Sequence, residues 1–112
     1  MTQHDDRAYL GQMLEAAREA RSYVVGVEFE TFAADRMRQR AVIYVIQIIG
    51  EAARRMSAEG KASVPEIPWP QIIGMRHKLV HDYLGIDYEE VWRTAIDDLP
   101  ALIRSLEAAL RE

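Results

Sequence analysis

The 112 residues include no cysteine, which excludes disulfide staples, thiolate metal sites, iron–sulfur clusters and cysteine nucleophiles. Stability must come from packing. Four prolines and six glycines are few for an all-β protein of this size, and Ala, Leu, Glu, Arg and Ile fill the long segments between them. Basic excess is also missing: 14 Lys and Arg face 18 Asp and Glu, a net charge of −4. Any nucleic-acid role therefore rests on a local basic cluster and not on the general field of the protein. The longest apolar run, Ala41 to Gly50, is interrupted by Gln47 and falls far short of a bilayer span, and Met1 to Asp6 shows no basic stretch leading into an apolar one. These features predict a soluble cytoplasmic protein with no membrane partner. The length suits one small domain, residues 1–112, and leaves no room for separate cofactor and substrate lobes. With 49% apolar and 29% charged residues, the chain is too apolar for a disordered tail.

What is present reads as all-α. From Asp5 to about Gly26, Leu10, Met13, Leu14, Ala17 and Val24 recur at helical spacing, with Glu15, Arg18 and Arg21 opposite them. Val27 to Ala33 suits one or two helical turns whose Phe29 and Phe32 plug a bundle end before Asp35 caps the next helix. Val42, Ile43, Val45, Ile46, Ile48 and Ile49 are β-branched and would suit a strand. They lie between Asp35 and Ser57 with no turn residue at either junction, which favours one helix that is apolar nearly all round. Such width implies a second packing surface, most simply another subunit. Glu59 to Pro70 reads as a loop, with Gly60 following the helix end. Trp69-Pro70 opens a helix through about Tyr83, ended by Gly85, and Asp87-x-x-Glu90 starts a last helix that Pro100 should kink or restart. Short connections between long helices predict an antiparallel up-down four-helix bundle with a short extra helix.

The densest polar cluster is Arg76-His77-Lys78-Leu79-Val80-His81-Asp82-Tyr83. On a continuous helix Arg76 and Tyr83 fall within about 20° of each other around the axis, while His81 lies about 140° from Arg76. Arg76 and His81 meet only if the guanidinium wraps around the helix or if two chains each supply one of each. His77 and His81, four apart, have the spacing of two zinc ligands, yet H-K-L-V-H lacks the zincin Glu and no third ligand is evident. A solvated helix end offers the same residue types. Arg36, Arg38 and Arg40 suit a solvated face or an RNA phosphate track, and Tyr9, Trp92 and the methionines suit core or interface filling.

Arg76-x4-His81-x-Tyr83, preceded by Pro68-Trp69-x-x-Ile72-Ile73-Gly74-Met75 and followed by Gly85-Ile86-Asp87, resembles the HepT-like toxins of the HEPN superfamily. Ile48-Ile49-Gly50-Glu51-Ala52-Ala53, Pro65-Glu66-Ile67-Pro68-Trp69 and Asp98-Leu99-Pro100 resemble other recurring segments of that branch in the same order. The chain departs from the pattern at His77, where Asn is usual, at Val45, also in place of Asn, and at Gln47, where Glu is common.

The resemblance implies a HEPN-like fold and a metal-independent endoribonuclease toxin, active as a homodimer on RNA (tRNA or mRNA) and not on DNA, with no cofactor. Its partner is an MNT-type minimal nucleotidyltransferase antitoxin, which transfers AMP from ATP to the motif tyrosine, here Tyr83. Chemistry explains the residue types. Cleavage through the RNA's own 2′-OH needs a base, an acid for the leaving 5′-oxygen and cations facing a phosphorane whose charge grows. Two chains supply two His and two Arg. His81 is assigned to proton transfer and Arg76 to phosphate binding and transition-state charge. His77 and Asp82 are candidates for orientation, Lys78 for RNA binding, and Glu51 for tethering Arg76 or His77 from the neighbouring helix. The alternative is a non-catalytic helical dimer that binds a nucleotidyltransferase or a nucleotide and keeps the motif as scaffold.

Overall fold

Side-chain caps open three of the described helices. The computed structural model describes residues 3–111, without the side chains of Gln3, His4 and Tyr83. Helix α1 (Gln3–Val24) buries the expected stripe of Leu10, Met13, Leu14, Ala17 and Val24, and Gly26 turns the chain at a φ of 73° that disfavours any side chain. Helix α2 (Phe29–Ala33) buries Phe32 completely and sets Phe29 edge-on against Trp92. Asp35 caps α3 (Arg36–Arg55) by accepting from the Arg38 N–H at 3.0 Å. The buried Gln39 amide then donates to the Phe32 and Ala33 carbonyls, both at 2.9 Å, tying the end of α2 to the start of α3. Arg38 also reaches the Tyr23 carbonyl, so its role in the Arg36-Arg38-Arg40 run is structural.

Helix α3 is the centre of the architecture. Helix α1 packs on one side of it and α5 (Trp69–His81) on another, while α7 (Leu99–Leu110) packs on α1. Val42, Ile43, Val45, Ile46 and Ile49 are all buried by this arrangement. The chain thus covers most of the apolar width that the sequence attributed to a second subunit. What stays open is a stripe at spacings of four, three and four: Met37 (82% exposed) and Tyr44 (65% exposed), with Ala41 and Ile48 half-buried beside them.

Two boundaries differ from expectation, and the break at Pro100 follows it through a π turn. The 59–70 loop contains a helix, α4 (Ala58–Ala62), capped by Ser57, whose hydroxyl accepts from the Gly60 N–H at 2.9 Å. Gly60 lies inside α4, where a Cβ would sit 2.5 Å from an Asp6 carboxylate oxygen, so closeness and not helix termination explains it. Asp6, buried in α1, accepts from the Ser57 N–H at 2.8 Å and from the Ser57 hydroxyl, joining α1 to the α3–α4 junction. Helix α5 stops at His81, and Tyr83–Gly85 forms a 3-10 turn. Finally, α6 (Tyr88–Arg93), capped by Asp87, runs through a π turn over Thr94–Asp98 into α7. Pro100 has no N–H for the ladder, and the Leu99 N–H donates five residues back to the Thr94 carbonyl, widening the helix just before the ring. The described residues form helices and turns, none of them long and apolar enough to cross a membrane.

Candidate active site

Helix α5 begins with Pro70 in its first turn, where a missing N–H costs nothing. Buried Trp69 anchors it, its indole N–H shared between the Lys61 carbonyl at 3.0 Å and the Val64 carbonyl at 3.1 Å. From there α5 crosses α3 at Gly50. A Cβ built on Gly50 would lie 2.2 Å from the Arg76 Cβ and 3.2 Å from the Ile72 carbonyl oxygen, so only glycine admits this approach. Arg76 is consequently fixed at the crossing point, its side chain 27% exposed.

Its guanidinium meets Glu51, the residue after Gly50, at 3.4 Å. The tether expected from the neighbouring helix is therefore made to Arg76. Glu51 also receives two hydrogen bonds from Arg54, at 2.8 and 3.0 Å, and lies 3.4 Å from Arg55. The Arg54 hydrogen bonds, with the charges of Arg54, Arg76 and Arg55, hold its carboxyl down to about 2 against a burial effect of opposite sign. One carboxylate facing three guanidiniums leaves a local excess of positive charge in a chain of net charge −4. An incoming phosphate can draw these forks from a single acid.

His81 is the last residue of α5, about 140° around the axis from Arg76. Its ring packs on that of His77 with centroids 4.2 Å apart and planes tilted by 44°, both side chains being exposed. The histidines thus occupy one flank of α5 and the Arg76–Glu51 pair another. Asp82 closes the helix, its N–H donating to the Lys78 carbonyl and its carbonyl accepting from the Gly85 N–H, each at 2.8 Å. The shared helix face expected for Arg76 and Tyr83 does not exist, because the helix ends before Tyr83, whose side chain lies outside the described residues.

Lys78 points elsewhere. It pairs with Glu90 at 3.0 Å, which raises its ammonium above the usual lysine range, and it lines a cleft of about 660 Å³ between α5 and the π turn. Glu66, Asp97 and Asp98 line the same cleft, a surrounding that repels phosphate. Sequence reasoning missed Gly50, Arg54 and Arg55 as parts of the site. The signal was present in a glycine interrupting a strong helix and in arginines three and four residues after Glu51.

Comparison with protein families matches residues 13–109 to the family described as Ribonuclease HepT-like. A protein of Methanocaldococcus jannaschii named "Putative RNase" is 32% identical over 107 residues, covering 96% of this chain and 98% of the other. One of Thermococcus cleftensis named "Probable ribonuclease HepT" is 38% identical over 94 residues, 84% and 86% of the two chains. No solved structure gives a significant match. A match of this extent assigns the chain to the HepT-like ribonuclease family.

Proposed function

We propose that this chain is a metal-independent endoribonuclease acting as the toxin of a toxin–antitoxin pair. The observation that carries the reading is Arg76, held over Gly50 by Glu51 within a cluster of three arginines, with His77 and His81 on the adjoining flank. In the proposed reaction one His81 takes the proton of the RNA 2′-OH as that oxygen bonds to phosphorus. The bond from phosphorus to the 5′-oxygen breaks, and the second His81 of a homodimer donates a proton to the leaving oxygen. Arg76 faces the charge that grows on the phosphorane. The products are a 2′,3′-cyclic phosphate and a 5′-hydroxyl.

Within one chain Arg76 and His81 occupy different flanks of α5, which favours a site completed by a second copy. The partly open stripe of Met37, Ala41, Tyr44 and Ile48 runs along α3 toward Glu51 and Arg55 and is the surface proposed for that contact. An antiparallel up-down bundle is the finer architecture that agrees with α1 lying between α3 and α7. Purified protein should cleave total RNA or tRNA in excess EDTA, and Arg76→Ala and His81→Ala should not. Intact RNA with wild type, or equal cleavage by the variants, would leave the non-catalytic dimer as the better reading.

Neutralisation is proposed to occur by AMP transfer to Tyr83 from a nucleotidyltransferase partner. The Tyr83 hydroxyl would bond to the α-phosphorus of ATP with loss of pyrophosphate, placing a phosphodiester charge just past the end of α5. Intact mass after incubation with that partner, ATP and Mg²⁺ should rise by AMP on wild type and not on Tyr83→Phe.

A further inference from the structure

His77 and His81 stand one turn apart on the exposed flank of α5, their ring centroids separated by 4.2 Å. Among the described residues neither ring is held by a hydrogen bond or an ion pair, so neither tautomer is fixed and a ring nitrogen on each is available. Two imidazoles four residues apart on a helix can reach a common ion. The neighbouring cations are already engaged, Arg76 by Glu51 and Lys78 by Glu90, and the exposed carboxylate of Asp82 follows His81 in the chain.

We infer that His77 and His81 together form a capture site for a borderline-soft divalent cation, namely zinc, nickel or copper, with water completing the coordination. The donor set selects the class. Imidazole nitrogen suits these ions, whereas magnesium and calcium need clustered oxygens. No group of three His, Cys, Asp or Glu that could hold a metal ion occurs among the described residues, so the site is a two-ligand chelate and not a structural zinc centre. A cation there occupies a lone pair on His81 and blocks its proton transfer. The metal would thus inhibit the enzyme. That consequence rests on the ribonuclease reading; the binding itself does not.

Calorimetric titration of the tag-free chain in metal-free buffer should show saturable binding of ZnCl₂ and NiCl₂, with CuCl₂ tightest. His77→Gln and His81→Gln, each checked for folding by circular dichroism, should each weaken zinc binding on the order of a hundredfold, the advantage of a linked second ligand. Substoichiometric Cu²⁺ should broaden the imidazole NMR signals of His77 and His81 before those of His4. Zinc binding of equal strength in either variant, or earlier broadening of His4, would overturn the inference. A chain that binds zinc through this pair but cleaves no RNA would refute the ribonuclease reading and leave the metal site standing. A chain that cleaves RNA and binds no zinc would do the reverse.

Discussion

Replacing Gly50 with alanine sets two physical effects against each other. Helix propensity alone favours the change, because glycine inside a helix costs roughly 0.5–1 kcal/mol relative to alanine. The crossing with α5 opposes it. The new methyl would lie 2.2 Å from the Arg76 Cβ and 2.9 Å from its Cγ, while ordinary contact begins near 3.4 Å. Relief needs a separation of at least about 1.2 Å, and rotation of a side chain cannot provide it, since the Arg76 Cβ is fixed to its backbone and the Ile72 carbonyl at 3.2 Å is itself backbone. Overpacking of this kind costs typically about 1–3 kcal/mol, which exceeds the propensity gain over most of its range. The net expectation for Gly50→Ala is a loss of about 1–2 kcal/mol and a fall in Tm of roughly 4–12 °C. Gly11→Ala and Gly74→Ala are the controls: both positions are helical and an added Cβ meets nothing within 4 Å, so each should leave Tm unchanged or raise it. Thermal unfolding followed by circular dichroism measures all three. RNA cleavage by Gly50→Ala should also fall, by up to about a hundredfold for a displacement near 1 Å of the phosphate-binding arginine. A Gly50→Ala protein as stable as the Gly11→Ala protein would refute the close crossing and the placement of Arg76 built on it.

Asp6→Ala leaves the Ser57 N–H and hydroxyl at the α3–α4 junction without their acceptor and should cost about 1–3 kcal/mol in urea unfolding; an unchanged midpoint would contradict the buried contact. Tyr44→Glu should convert a dimer into a 12.8 kDa monomer by light scattering and abolish RNA cleavage with it, whereas a wild-type chain that is monomeric at micromolar concentration removes the composite site. The Glu51 carboxyl should titrate by NMR near 2 and not near its ordinary 4.5, with Arg54→Gln raising the midpoint more than Arg55→Gln does. Because the folded value is the lower one, the stabilisation linked to Glu51 is complete above about pH 4.5 and is lost as pH falls through 2. A midpoint near 4.5 in wild type would mean that the arginine cluster does not form.

The sequence by itself determined the helical class and most boundaries, because these follow from local chemistry. The stripe of Leu10, Met13, Leu14, Ala17 and Val24, the caps at Asp35 and Asp87, Pro70 in a first turn and the break before Pro100 each depend on residues within a few positions of one another. The polar motif on α5 was legible for the same reason, and so was the partner of Arg76 once a neighbouring helix had been assumed. Tertiary structure decided what depends on distant segments meeting. That Gly50 serves a helix crossing, that Gly60 makes room for Asp6, and that Arg76 joins Arg54 and Arg55 at Glu51 are matters of contact between elements. It also decided the fate of Lys78, which lies next to the histidines in the chain but faces Glu90 across a cleft, and of Tyr83, which local spacing placed on a helix that ends two residues earlier. A helical period predicts direction only while the helix lasts. Which neighbour waits in that direction is fixed by packing, as the α3 apolar face illustrates: the sequence recorded its full width, and the fold determined that α1 and α5 cover most of it and leave Met37 and Tyr44 exposed.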